Sequence, residues 1–267
     1  MTIQYLITCV KKTQDEIKNM LKKLNISGDI LVGNQLCEEN MEYDIKTKLY
    51  KAKVFNMTGK GVSLNRNFLT SKSTADYITY LDDDMYYNPG VQEKIEKELK
   101  ENLHVAVRFN VVSDNEKRPI KLLTKRKFVG FRSLSSFGVC GIFFNRQFLI
   151  DNNIKFNEKI GPGTDINHGE DGLFNKEMTK YTKILSLPTI SFNIQQSEST
   201  WHGDNRDIEL ESFSHGYIYY LLYGKKARLM SLLFLITHMS YYPRGTKIGI
   251  LYKNMKKGIK KSKEHNA

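Results

Sequence analysis

Tyr77-Ile-Thr-Tyr-Leu-Asp82-Asp83-Asp84-Met85 is the stretch that decides the fold. β-Favouring, largely apolar residues run straight into three adjacent carboxylates, which predicts a buried strand with an acidic end. Neighbouring carboxylates repel one another, and a core edge gains nothing from three of them unless something positive meets them there. A divalent cation fits that requirement. Mg²⁺ and Mn²⁺ prefer oxygen ligands, take one or two carboxylates from the protein and leave other positions for substrate phosphates. The alternative is an acidic turn capping a helix after Pro89, although a single Asp would serve as a cap.

Working outward from this strand, the upstream sequence alternates strands and helices. Ile3 to Val10 is an apolar run without a helical stripe, and Lys11 to Leu24 carries apolar residues at 17, 20, 21 and 24 among charges, the spacing of an amphipathic helix. Ser27-Gly28 stops that helix, and Asp29 to Gly33 reads as a second strand ending in Asn34-Gln35. Residues 36 to 49 are polar and poorly periodic, and Lys51 to Asn56 makes a third strand. Gly59-Lys-Gly-Val-Ser63-Leu-Asn-Arg66-Asn67 is a Gly-rich turn opening a helix, with Ser63 as its expected cap. Such alternation predicts a parallel sheet covered on both faces, whose ligands bind at the carboxyl ends of the strands. The three aspartates lie at one of those ends.

Downstream, Pro89 starts a helix through Leu103, and His104 to Val112 is a strand. Residues 113 to 127 read as a surface loop, and Phe137 to Phe144 as a buried strand whose glycines admit a close neighbour. Arg146 to Asn152 is a short helix, Leu173 to Tyr181 another, and Ile184 to Leu187 the last core strand, ending before Pro188.

Composition narrows the class. The chain has 267 residues, 40% of them hydrophobic, enough for a sizeable core in one large domain or one domain with an appendage. Cys9, Cys37 and Cys140 suggest neither a disulfide framework nor a zinc cluster, which points to a reducing compartment. Met1 leads directly into the first strand, without the basic start of a signal peptide. The net charge of +12 is unevenly spread: residues 225 to 267 hold eleven Lys or Arg against Glu264 alone, leaving 30 basic and 28 acidic residues for 1 to 224. A neutral body with a basic tail argues against a nucleic-acid groove and for a terminal segment that meets an anionic surface.

A second constellation is Gly161-Pro-Gly-Thr-Asp165-Ile-Asn-His168-Gly-Glu170-Asp171-Gly-Leu-Phe174. Two acids at the mouth of a helix are favoured by its dipole, so capping alone explains them. Equally, a carboxylate facing a substrate hydroxyl can act as general base.

Three pieces in order, Gly61 to Asn67, Asp82 to Asp84 and Glu170-Asp171, resemble the family 2 glycosyltransferases of the GT-A fold. The resemblance covers roughly residues 1 to 205 and looks closest to bacterial members that build capsule, exopolysaccharide or O-antigen chains, where Gly161-Pro-Gly163, Gly169-Glu-Asp171 and Ser199-Thr-Trp201 occur together. It implies an α/β, Rossmann-like, mostly parallel sheet flanked by helices over residues 1–205; beyond it, the tail's own apolar runs and lysines read as a helical, basic extension over 206–267. It implies an inverting transferase that moves a sugar from a nucleotide-sugar donor, UDP by prior, to a hydroxyl of a glycan or polyprenyl-linked oligosaccharide. Asp84, with Asp82, would hold Mg²⁺ or Mn²⁺, and Asp171 would be the base, with Glu170 on acceptor or sugar. Thr8, Asn34, Gln35, Arg66, Asp82 and Asp83 would line the donor site. Many members end the second strand in an acidic pair where this chain has Asn34-Gln35, whose amides offer both donor and acceptor to a base. The bland reading of Arg66 is a solvated helix arginine.

Other residues keep two readings. His202 is either a further metal ligand or structural, and Trp201 either stacks on a sugar or packs in the core. Leu229 to Tyr242 is shorter than a bilayer span and suggests an interfacial helix followed by lysines over anionic headgroups, with a helical bundle on the core as the rival. These features imply a cytoplasmic protein, peripheral on the inner face of the plasma membrane. A non-catalytic carbohydrate-binding scaffold and a sugar nucleotidyltransferase are the alternative functions.

Overall fold

A computed structural model describes residues 1–114, 120, 122–134, 138–195, 207–239, 242 and 245–265. The first half follows the expected alternation: β1 (Ile3–Val10), α1 (Gln14–Leu24), β2 (Gly28–Gln35), β3 (Met41–Lys46), β4 (Tyr50–Met57), α2 (Val62–Lys72) and β5 (Tyr77–Asp82). Then come β6 (Met85–Tyr87), α3 (Val91–Glu101), β7 (Ala106–Ser113), β8 (Lys127–Val129), α4 (Phe131–Leu134), β9 (Ile142–Asn145), α5 (Arg146–Asp151), α6 (Glu170–Tyr181) and β10 (Ile184–Ile194). The chain closes with three helices, α7 (Ile208–Tyr223), α8 (Ala227–Thr237) and α9 (Ile248–His265).

The strands form one ten-stranded sheet in the order β3-β4-β2-β1-β5-β9-β7-β10-β6, with β8 on β10. β1 pairs in parallel with β2 and β5, and β2 with β4. β9 is antiparallel to both β5 and β7, and β7 is parallel to β10. Six strands therefore run one way, and β5 sits in the middle of the sheet with its carboxyl end carrying Asp82. Both faces are covered, which is why the strands read as continuous apolar runs: Tyr77 to Leu81 are all buried. Tyr5, Ile7, Leu81 and Phe143 belong to one core layer, and Leu6, Ile78, Tyr80 and Phe144 to the other.

Several local expectations change. β3 lies in the stretch read as polar and aperiodic; it is an edge strand whose side chains, Ile45 aside, stay partly or fully in solvent. β10 does not stop before Pro188 but continues to Ile194, with register shifts against β7 between Ser186 and Asn193 that let the proline pass. Of the strand expected from Phe137 to Phe144, Phe137 lies outside the described residues, Gly138 to Gly141 makes a turn with φ at +78° for Gly141, and among the described residues Ile142–Asn145 is the part that pairs. Gly61, not Ser63, is the N-cap of α2.

The C-terminal helices pack against one another as a bundle. α9 buries Leu251, Asn254, Met255, Gly258, Ile259 and Ser262 and turns its lysines out. α7 and α9 touch backbone to backbone. A Cβ on Gly216 would lie 1.9 Å from the Met255 carbonyl oxygen, and one on Gly258 would lie 2.0 Å from that of Phe213. The bundle also meets the loop before α6: Ile160, Ile166, Tyr217 and Ile218 form one apolar cluster, and Gly169 leaves room for Ile218.

Candidate active site

The parallel register sets Thr8 of β1 beside Asp82 of β5, so the two strand ends open at one level. Next along the sheet, β2 ends in Asn34 and Gln35, both buried. Their amides have local work. Asn34 accepts the Lys12 N–H at 2.9 Å and donates to the Lys12 carbonyl at 2.7 Å, which folds the β1–α1 loop over the strand ends. Gln35 accepts the Gly61 N–H at 2.8 Å and so ties down the turn before α2. These two residues shape the loops around the expected donor site.

Gly-rich turns bring the second constellation onto the first. The Val62 N–H donates to the Pro162 carbonyl at 3.1 Å, and Ser63 Oγ donates to the Ile160 carbonyl at 2.6 Å. A Cβ on Gly163 would sit 3.2 Å from the Gly61 backbone, so these two positive-φ glycines allow the loops to pack in direct contact.

Arg66 lies where the pieces meet. It is buried, and its partners are carboxylates of both expected constellations. Nη1 is 2.6 Å from Asp171 Oδ1 and 3.8 Å from Glu170 Oε1, while Nη2 is 3.2 Å from Asp82 Oδ1. The guanidinium also lies 5.2 Å from the Phe156 ring centre and 6.0 Å from that of Tyr80. Burial works against its charge, but Asp171 and then Asp82 outweigh that loss, and its pKa rises well above the ordinary value. One arginine thus joins the end of β5 to the start of α6.

Asp171 is fixed from both sides, since its Oδ2 accepts the Val139 N–H at 3.1 Å. Gly138 permits that approach, because a Cβ there would be 2.9 Å from the same oxygen. Glu170 is buried, and desolvation together with the Asp171 charge pushes its carboxyl up. Both acids open α6 behind Gly169, in the helix's electropositive first turn.

The β5 end is less compensated. Asp83 Oδ2 pairs with Lys12 Nζ at 2.9 Å. Asp84 has no cationic partner among the described residues. Loss of hydration, then repulsion from Asp82 and Asp83, pushes its carboxyl up to about 6. Its side chain is exposed, so the repulsion is the part that water weakens least at such short range. Ionised carboxylate oxygens left short of positive charge are the donor set a hard divalent cation uses. Among the described residues no three His, Cys, Asp or Glu side chains are grouped as a ready-made cage. Trp201 and His202 lie outside the described residues.

Sequence reasoning missed Lys12, the Val139 N–H and Cys140, whose Sγ is 3.8 Å from Asp82 Oδ2 and whose thiol burial pushes up strongly. Their signals were present but non-specific: a basic pair after β1, and glycines flanking Val139-Cys140. His168 is half-buried beside the His215 ring at 4.3 Å, and loss of hydration lowers its pKa to about 4, so it stays neutral.

The model of "Glycosyl transferase family 2" matches residues 35–181, more than half of the chain. Among solved structures, S. aureus TarS 1-349 in complex with UDP-GlcNAc is similar at a TM-score of 0.62 and 16% identity, over 90% of this chain and 73% of that one. The UDP complex of the same fragment gives 0.61 at 15% identity, over 90% and 72%. TarS 1-349 alone gives 0.58 at 12% identity, over 100% and 91%. At these identities the likeness speaks for the fold, and the fold is GT-A. No curated protein matches the sequence. The family match covers α2, the Asp82-Asp83-Asp84 strand end and the Glu170-Asp171 helix, and the chain belongs to glycosyl transferase family 2.

Proposed function

We propose that this glycosyltransferase takes a UDP-sugar as donor and transfers the sugar with inversion to a hydroxyl of a glycan or lipid-linked oligosaccharide in surface polysaccharide synthesis. The observation that carries the reading is the Arg66 bridge. One buried guanidinium holds Asp82, on the donor side, and Asp171, on the acceptor side, within a single hydrogen-bonded unit. UDP-GlcNAc and UDP in the TarS complexes support the uridine nucleotide.

In this mechanism the acceptor oxygen forms a bond to the anomeric carbon as the bond from that carbon to the diphosphate breaks, and the hydroxyl proton passes to Asp171. Arg66 and the Val139 N–H each use one lone pair of the Asp171 carboxylate, and each oxygen keeps another for the acceptor. Glu170, raised by burial, holds a proton and donates to acceptor or sugar. Asp84, with Asp82, fits Mn²⁺ or Mg²⁺, which when bound would offset charge on the departing diphosphate. Asn34 and Gln35 act by fixing the Lys12 and Gly61 loops against the nucleotide, and Thr8 lines the same strand end. Asp83 stands between the two metal-side acids.

We take residues 1–205 as the transferase domain and 206–267 as an extension whose α7 buttresses the loop leading into Glu170 and Asp171. The basic tail supports peripheral attachment to an anionic membrane on the cytoplasmic face, where a polyprenyl-linked acceptor would be found. Among the described residues no helix is long and apolar enough to cross a membrane. A panel of nucleotide sugars tests the chemistry: with Mn²⁺ or Mg²⁺ one uridine donor should release UDP, and EDTA should stop it. Absence of both turnover and metal-dependent UDP binding across the panel overturns the reading.

A further inference from the structure

We infer that α8, rather than the lysine-rich α9, is the element that enters the lipid surface. The inference deepens the membrane part of the reading above and rests on it for the class of partner. α9 has no apolar face to offer, because Leu251, Met255, Gly258 and Ile259 are consumed against α7 and the rest of the bundle. α8 has the opposite arrangement. It turns Ala227, Ser231 and Leu235 inward and leaves Leu229, Leu232, Leu233 and Ile236 outward at 58, 39, 45 and 62% exposure. Spaced i, i+3, i+4 and i+7, these four side chains cover an arc of about 100° on one helix face.

The outward face of α8 is therefore apolar as well as the inward one, where Phe234 joins Leu235 against the bundle. Elsewhere exposed aliphatics stand apart, such as Leu49 and Leu103, and need no partner. Four in one stripe do.

Charge chooses the occupant. Lys225 and Lys226 precede the stripe, Arg228 flanks it, and all three are exposed. No acidic residue occurs between Lys225 and Lys263. A second copy of the chain would bring two such cationic segments together, whereas an anionic bilayer meets the same charges with its headgroups and the stripe with its acyl boundary. An eleven-residue helix cannot span that bilayer but can lie in its interface. The exposed lysines of α9 add long-range attraction, and α8 supplies the contact that salt does not screen.

The test is cosedimentation of the full chain with phosphatidylglycerol-containing and with pure phosphatidylcholine vesicles. The wild type should bind the anionic vesicles and retain part of that binding at high salt. Leu232→Glu combined with Ile236→Glu should weaken partitioning by at least about tenfold, with an unchanged circular dichroism spectrum and melting temperature. Lys260→Glu with Lys261→Glu should reduce only the salt-sensitive part. In Leu233→Trp, vesicles should shift the added indole emission to the blue. Equal binding of the α8 variant and the wild type overturns the role of α8 while leaving attachment by lysines. Failure of the wild type to bind anionic vesicles at low salt overturns the membrane reading itself. Wild-type dimers that the α8 variant dissociates, without vesicle binding, assign the stripe to a second copy and overturn the proposal. None of these outcomes bears on UDP release, which tests the transferase chemistry separately.

Discussion

Two acidic clusters face one another across the strand ends, and they are compensated in opposite ways. Glu170 and Asp171 are closed off: Arg66, the Val139 N–H and the first turn of α6 all answer their charge. At the end of β5, Asp82 shares that arginine and Asp83 takes Lys12, while Asp84 meets no cation among the described residues. The closed cluster belongs to the folded state. The open one is short of positive charge, so it gives up stability that a bound cation would restore.

The largest way to break this comparison is to remove the arginine. Arg66→Met keeps much of the side-chain volume but leaves buried carboxylates without a partner, and should lower unfolding free energy by about 3–5 kcal/mol in urea titration. Near-wild-type stability would mean that the cluster is not closed by Arg66. Next in size is Asp84→Asn, with opposite signs for function and fold. Turnover should fall about 10³-fold, equivalent to roughly 4 kcal/mol of lost Lewis-acid assistance. The metal-free protein at neutral pH should become more stable. The shift of Asp84 to about 6 sets the direction; with the group exposed and screened, the gain is on the order of 1 kcal/mol, or about 2–4 °C in melting temperature for a chain of this size. A lower melting temperature in EDTA would show that the open cluster is already satisfied.

What the sequence disclosed follows the same division between local and distant causes. β1 runs from Ile3 to Val10 as expected, and the strand into Asp82 ends where its carboxylates begin, because apolar continuity is written within each segment. The helix expected from Leu173 starts earlier, at Glu170, so the two acids read at its mouth lie within its first turn. The Arg66–Asp171 ion pair joins residues 105 positions apart, and nothing in α2 alone announces it. β3 stayed hidden because an exposed edge strand imprints no alternation of apolar and polar residues. The bundle was undecided for a similar reason: Gly216 and Gly258 show their purpose only once α7 and α9 cross.

A third test sharpens the comparison through pH. Asp84 titrates at about 6 in the folded protein against an ordinary 3.8, so between those values the native state holds more proton than the unfolded chain. Stability of the metal-free protein should therefore fall as pH rises from about 4 to about 6, and the fall should be shallower in Asp84→Asn. Glu170, also raised, adds a fall of the same sign that this variant keeps. Mn²⁺ should restore stability above pH 6 in the wild type and much less in Asp84→Asn, measured by thermal melting across a pH series. Identical pH profiles for the two proteins would remove the distinction between the clusters.

The smallest effect belongs to Asp83. Its partner Lys12 is held by its backbone to Asn34, so the loop does not depend on the ion pair for its place. Both side chains of the pair are partly open, at 29% for Lys12 and 37% for Asp83, and such pairs contribute about 0–1 kcal/mol. Asp83→Asn should leave melting within about 2 °C and turnover within about fivefold, because it also relieves part of the repulsion on Asp84. Lys12→Met should do the reverse: by freeing the Asp83 charge it leaves the strand end still shorter of positive charge, which pushes Asp84 further up and favours a divalent cation more than the proton, seen as a lower Mn²⁺ requirement for turnover. If Asp83→Asn lowers turnover as far as Asp84→Asn does, the three aspartates act as one ligand set, and the open cluster has no spacer.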